Sequence, residues 1–133
     1  MGSTKHTVLL VDHDKAIAEM YREGLQDHGF AVTIVGGVGE ALASVATKVP
    51  DIAVVTWEMP VRGDELLIAL RHDARSKDVP VLMFSNHPVR MMDDALKQRV
   101  FEARSAGWLE KVKTTPKELA NRIAEVLRDG RTS

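Results

Sequence analysis

Five short apolar runs recur along this chain, each separated from the next by a segment of helical period, and no other feature constrains the fold as strongly. The runs are His6 to Val11, Phe30 to Val35, Ile52 to Val55, Val79 to Ser85 and Trp108 to Val112. Val8-Leu9-Leu10-Val11 has no polar break and is β-branched at both ends, which suits a strand covered on both faces; Ile52 to Val55 is equally apolar throughout.

The intervening segments read as helices from their spacing and their ends. Asp14 can cap a helix in which Ile17, Met20, Tyr21 and Leu25 recur at helical spacing, and Gly29 is set to end it in a left-handed conformation. Gly36-Gly37 makes a turn: the stretch lacks both the lysine of a P-loop and the spacing of a dinucleotide loop. Gly39 to Lys48 follows as a helix with Leu42, Val45 and Ala46 inward. Asp64 is a candidate N-cap for a short helix carrying Leu66, Leu67 and Leu70. A long amphipathic helix is expected from about Pro88 to Arg104, with Val89, Met92, Leu96 and Val100 on one side; Met83, Met91 and Met92 read as core filling. Thr115-Pro116-Lys117-Glu118 combines a capping box with proline at the first helical position. Leu119, Ile123, Val126 and Leu127 give that last helix its inward face before Gly130.

Five strand–helix units with short connections imply an α/β fold: a doubly wound five-stranded parallel sheet with helices on both faces, because each crossover must be right-handed and each strand covered. A chain of 133 residues, 44% of them hydrophobic, can bury one sizeable core. A single domain is therefore expected over 1–133, with its core in about 6–129 and loose termini. Eighteen basic residues against nineteen acidic ones, for a net charge of -1, leave no basic footprint for nucleic acid. The absence of cysteine removes disulfide and thiolate chemistry, and no apolar run approaches a signal-peptide core or a membrane span. A cytoplasmic protein without membrane contact is the expectation.

In open parallel sheets ligands bind at the carboxyl ends of the strands. That selects Asp12, His13 and Asp14 after the first strand, Thr56 to Glu58 after the third, Ser85 and Asn86 after the fourth, and Lys111 at the fifth. On residue chemistry alone, Asp12 and Lys111 can form a buried or half-buried ion pair, Asp14 can be only the helix cap, and His13 reads as a solvent-edge residue. Thr56 suits a strand end as a β-branched residue.

These same residues carry a family resemblance. Leu10-Val11-Asp12-His13-Asp14 resembles the acidic turn of bacterial response-regulator receiver domains, Gly39-Glu40-Ala41-Leu42 the start of their second helix, and Pro50-Asp51 through Met59-Pro60 their phospho-acceptor strand and loop. Val79 to Asn86 resembles the fourth strand with its terminal hydroxyl, and Trp108-Leu109-Glu110-Lys111 the aromatic-x-x-Lys of the fifth. The resemblance implies a flavodoxin-like fold in which a histidine kinase's phosphoryl group passes to an aspartate on the third strand. A divalent cation would sit on the acidic cluster, and the hydroxyl and lysine would bind the phosphoryl oxygens. On this resemblance Asp12 matches the first acid, Ser85 the hydroxyl and Lys111 the lysine.

The departures concern one pocket. Thr56 stands where the acceptor aspartate is expected, and a hydroxyl yields a phosphoester, not the labile acyl phosphate. His13 replaces the second acid, which weakens a magnesium site, since Mg²⁺ prefers oxygen donors. Glu58 could reach into the vacated space, Val112 replaces the proline after the lysine, the loop from Met59 to Asp64 is shortened, and the stretch between Ser85 and Trp108 is lengthened.

The expectation is a degenerate receiver of two-component signalling, not an enzyme. It would act as a phosphorylation-independent protein-interaction module through its fourth helix, fifth strand and fifth helix, where Trp108 stands either in the core or at the partner surface. A histidine kinase, a regulator or the chain's own output domain would be the partner. No cofactor is required; a weak magnesium site would use Asp12 and Glu58. Two alternatives stay open: phosphorylation at a displaced carboxylate, Glu58 or Asp14, and a small molecule or nucleotide in the strand-end crevice.

Overall fold

The computed structural model describes residues 5–58, 62–87 and 92–129. Five strands, β1 (Thr7–Val11), β2 (Ala31–Val35), β3 (Ile52–Thr56), β4 (Val81–Ser85) and β5 (Gly107–Glu110), alternate with five helices, α1 (Lys15–Asp27), α2 (Val38–Thr47), α3 (Gly63–Arg71), α4 (Asp94–Glu102) and α5 (Pro116–Arg128). The strands form one parallel sheet in the order β2-β1-β3-β4-β5.

Strand alternation divides the core in two. Val8, Leu10, Ile52, Val54, Leu82 and Phe84 face α1 and α5, where they meet Tyr21, Leu25, Leu119 and Ile123. Leu9, Val11, Ala53, Val55, Val81 and Met83 face the other way, against Val45 of α2, Leu66, Leu67 and Leu70 of α3, and Val100 of α4. The three central strands therefore carry apolar residues at every position but one end each, Thr7, Thr56 and Ser85, and β3 and β4 are buried throughout. The edge strand β2 is only half covered.

The helix ends follow the chemistry of their first residues. Asp14 accepts from the Ile17 N–H at 3.2 Å, and Thr115 and Glu118 complete a reciprocal capping box. Gly29 has φ 90°, the left-handed cap its position called for.

Several boundaries differ from expectation. The fourth helix starts at Asp94, not near Pro88, because the Asp93 carboxylate captures the Leu96 N–H at 2.9 Å and sets the cap there. Val100 keeps the inward face while Leu96 is only half-buried; Met92 packs from outside the helix, and Val89 and Met91 lie outside the described residues, as does Gly130. Asp64 is not the cap of α3 but a buried residue of its first turn, beside Arg62 and Arg99. The cap position is Arg62, in a left-handed backbone of φ 58°. Gly63 is then forced close to β3: a Cβ there would stand 2.4 Å from the Thr56 carbonyl oxygen. The fifth strand ends at Glu110, and Lys111–Lys113 form a single 3-10 turn that leaves Val112 exposed. On α1 the inward residues are Ala18, Tyr21 and Leu25, with Ile17 and Met20 exposed; on α2 Ala41 faces inward and Ala46 outward.

Candidate functional site

The sheet register brings the residues singled out by sequence to one edge. Val11 pairs with Val55, Thr56 with Phe84, and Ser85 with Glu110, so the residues that follow these strands emerge side by side. They separate into two groups.

In the first, Asp12 directly follows β1 and is 2% exposed. One carboxylate oxygen lies 2.7 Å from Lys111 Nζ, and the other accepts the Asp14 N–H at 3.0 Å. The lysine head also stands 5.5 Å over the Phe84 ring. Both ions have left water, so each depends on the other for compensation. The 3-10 turn carrying Lys111 is held by Tyr21, whose hydroxyl donates to the Thr114 carbonyl at 2.6 Å and approaches that of Lys111 at 3.3 Å. Burial, then the nearby Asp12 and Glu118 carboxylates, raise the Tyr21 pKa and keep the phenol a neutral donor.

In the second group, Glu58 leaves β3 and crosses to the end of β4. Its Oε2 accepts from Ser85 Oγ at 2.5 Å and from the Asn86 N–H at 2.9 Å, and it stands 3.1 Å from His87 Nδ1, which donates in the tautomer protonated there. Burial pushes the Glu58 carboxyl up, but the bonds from Ser85, His87, the Asn86 amide and its own backbone amide outweigh it and hold the pKa below the usual value. The His87 N–H donates to Ser85 Oγ at 2.9 Å, and the His87 carbonyl accepts from Trp108 Nε1 at 2.9 Å. Trp108 packs beside Trp57 with ring centroids 5.2 Å apart.

Thr56 ends β3 opposite the Asp12 side of β1. It is 3% exposed, and its hydroxyl has no hydrogen-bond partner among the described residues; Glu58 Oε1 is likewise buried without one. His13 is exposed, and Asp14 serves as the α1 cap.

The donor set does not fit magnesium. That ion needs a near-octahedral oxygen shell anchored by carboxylates, yet Asp12 is committed to Lys111 and Asp14, Glu58 Oε2 holds three donors, and position 56 is neutral. Among the described residues no group of three or more His, Cys, Asp or Glu side chains could hold a metal ion.

Sequence reasoning missed His87 and Phe101. Nothing in the spacing marked His87, whose role depends on the turn after β4. Phe101 is 76% exposed on α4, at a cleft of about 720 Å³ bounded by α4, the approach to β5 and α5, lined by Ala106 and Val126 and by charges of both signs, Lys77 and Arg104 with Asp78 and Glu102. An aromatic side chain among the charged residues of α4 was the available signal. No helix among the described residues is long and apolar enough to cross a membrane.

Comparison with known proteins gives a consistent result. The family described as the response regulator receiver domain matches residues 8–124. The phosphate regulon transcriptional regulatory protein PhoB of Pseudomonas aeruginosa is 27% identical over 123 residues, which is 92% of this chain and 52% of that protein. The response regulator MprA of Mycobacterium leprae is 31% identical over 123 residues, 91% of this chain and 50% of its own length. The chain thus spans about half the length of these two relatives. Among solved structures, the chemotaxis response regulator CheY4 of Vibrio cholerae superposes with a TM-score of 0.80 at 30% identity, covering 92% of this chain and 99% of that one.

Proposed function

The chain belongs to the response-regulator receiver family of two-component systems, and from that membership we propose that it is a receiver without aspartyl phosphorylation, acting as a constitutive protein-recognition module. One observation carries this reading. The hydroxyl and the lysine that the family resemblance assigns to the phosphoryl oxygens, Ser85 and Lys111, are already engaged by internal carboxylates, Glu58 and Asp12, beside a neutral Thr56. A threonine hydroxyl can yield only a phosphoester and not an acyl phosphate, and that of Thr56 is buried with no hydrogen-bond partner among the described residues. The two alternative acceptors support the reading from the other side, since Asp14 caps α1 and Glu58 is held by three donors.

Recognition is assigned to the face made by α4, β5 and α5. Phe101 and the adjoining cleft offer apolar contact area there, and charged residues of both signs line the cleft around it. PhoB is by name a transcriptional regulatory protein, and the matched region is about half of it; an output domain, a regulator or a histidine kinase is the partner class we propose.

The decisive experiment is incubation with acetyl phosphate or a phosphorylated histidine kinase, read by intact-mass spectrometry. No mass increase is expected. A single acid-labile, hydroxylamine-sensitive phosphoryl adduct would overturn the proposal.

A further inference from the structure

Three donors converge on one point at the carboxyl end of β4: Ser85 Oγ, the Asn86 N–H and His87 Nδ1. Two come from side chains and one from the main chain, and all belong to three consecutive residues, so the turn itself builds the receptor. What stands at the point of convergence is a carboxylate oxygen from another strand, Glu58 Oε2, at 2.5, 2.9 and 3.1 Å. Convergent donors around an ionised acceptor give short, strong bonds and suit a carboxylate in particular. The receptor is tied onward as well, because Ser85 Oγ accepts from the His87 N–H, and the His87 carbonyl accepts from the Trp108 indole.

We propose that the end of β4 is a carboxylate-binding site whose ligand is the chain's own Glu58, and that its occupancy fixes the Asn86–His87 turn and, through the His87 carbonyl, the Trp108 indole. The site goes beyond the proposed function in requiring neither a phosphodonor nor a partner, so failure of either idea is distinguishable from failure of the other. Glu58 is 22% exposed, which leaves a solvent path to the donors once its side chain is removed.

The test is chemical rescue in the whole chain, followed by NMR hydrogen exchange at the Asn86 amide and the Trp108 indole N–H. In Glu58→Ala the Asn86 amide should exchange about tenfold faster or more, the loss expected for a hydrogen bond to a charged acceptor, and the Trp108 indole N–H, which donates to the His87 carbonyl, should accelerate with it. Sodium acetate should restore protection in a saturable way, while sodium chloride at equal ionic strength should not. In Glu58→Gln the site remains filled, so acetate should have no effect. Unchanged exchange at the Leu9 and Leu10 amides of β1 verifies the fold in each variant. Either of two results overturns the proposal: no acceleration in Glu58→Ala, or an acceleration that acetate leaves unreversed.

Discussion

Asp12 and Lys111 bring opposite charges into a place where neither is properly hydrated, with 2% and 9% of their side chains exposed. Their attraction offsets a desolvation cost that either ion alone would bear in full. Lys111→Met should therefore destabilise the protein by about 3–5 kcal/mol, the usual cost of orphaning a buried charge. Adding Asp12→Asn to that variant should recover most of the loss, because the uncompensated charge leaves with the carboxylate. Urea denaturation of the two single variants and the double variant measures this directly, and additive losses would contradict it. Both ends of the pair were legible in the sequence as a candidate match, since an acid after β1 and a lysine after β5 both fall at the carboxyl end of the sheet. The partners of Glu58 were not legible. Its side chain could turn toward Lys111 or toward β4, and only the geometry of the turn at Asn86 and His87 decides between them.

At the scale of elements, one side chain bridges α3, the approach to β4 and the end of α4. Arg71 ends α3, and its guanidinium donates to the carbonyls of Ala103 at 2.8 Å, Val79 at 2.7 Å, Arg104 at 3.2 Å and Ser76 at 3.4 Å. Two of these carbonyls lie just past the end of α4, where the last turn has no further helical donors. Burial, then the neighbouring Arg104, lower the Arg71 pKa, yet a guanidinium stays charged at any ordinary pH. Arg71→Ala should cost about 2–4 kcal/mol, and Arg71→Lys should restore little, because an ammonium cannot reproduce the planar fork. Thermal unfolding reads the loss, and faster amide exchange confined to the α4 end and the approach to β4 would localise it. Helix and strand order were plain from the alternation of apolar runs, but element ends were set by single polar residues. Asp93 outcompeted an apolar periodicity that extended the fourth helix backward, and the left-handed Arg62 displaced Asp64 from the cap. Arg71 itself carried no sequence signal, since its four acceptors are main-chain carbonyls, which residue identity does not mark.

For the molecule as a whole, the strand-end pocket and the cleft at Phe101 lie at opposite ends of the sheet, the cleft touching Pro80 at the approach to β4 and the pocket beginning where β4 stops at Ser85. A magnesium ion at a hundredfold its Kd would stabilise the native state by about 2.7 kcal/mol, several degrees in Tm for a domain of this size. Because the carboxylates are committed elsewhere, Tm should be the same with magnesium chloride as with sodium chloride at equal ionic strength; a saturable rise would contradict the commitment. The placement of Glu58 also bears on what a single substitution at position 56 can do. An aspartate there would add an acid at the sheet end that carries Asp12 and Glu58, with Lys111 already paired to Asp12, and neighbouring like charges suppress one another's ionisation. That change alone leaves Ser85 and Lys111 engaged by Glu58 and Asp12. For Ser85 Oγ to serve another acceptor, Glu58 must first leave the β4 turn and give up the bonds that brace it.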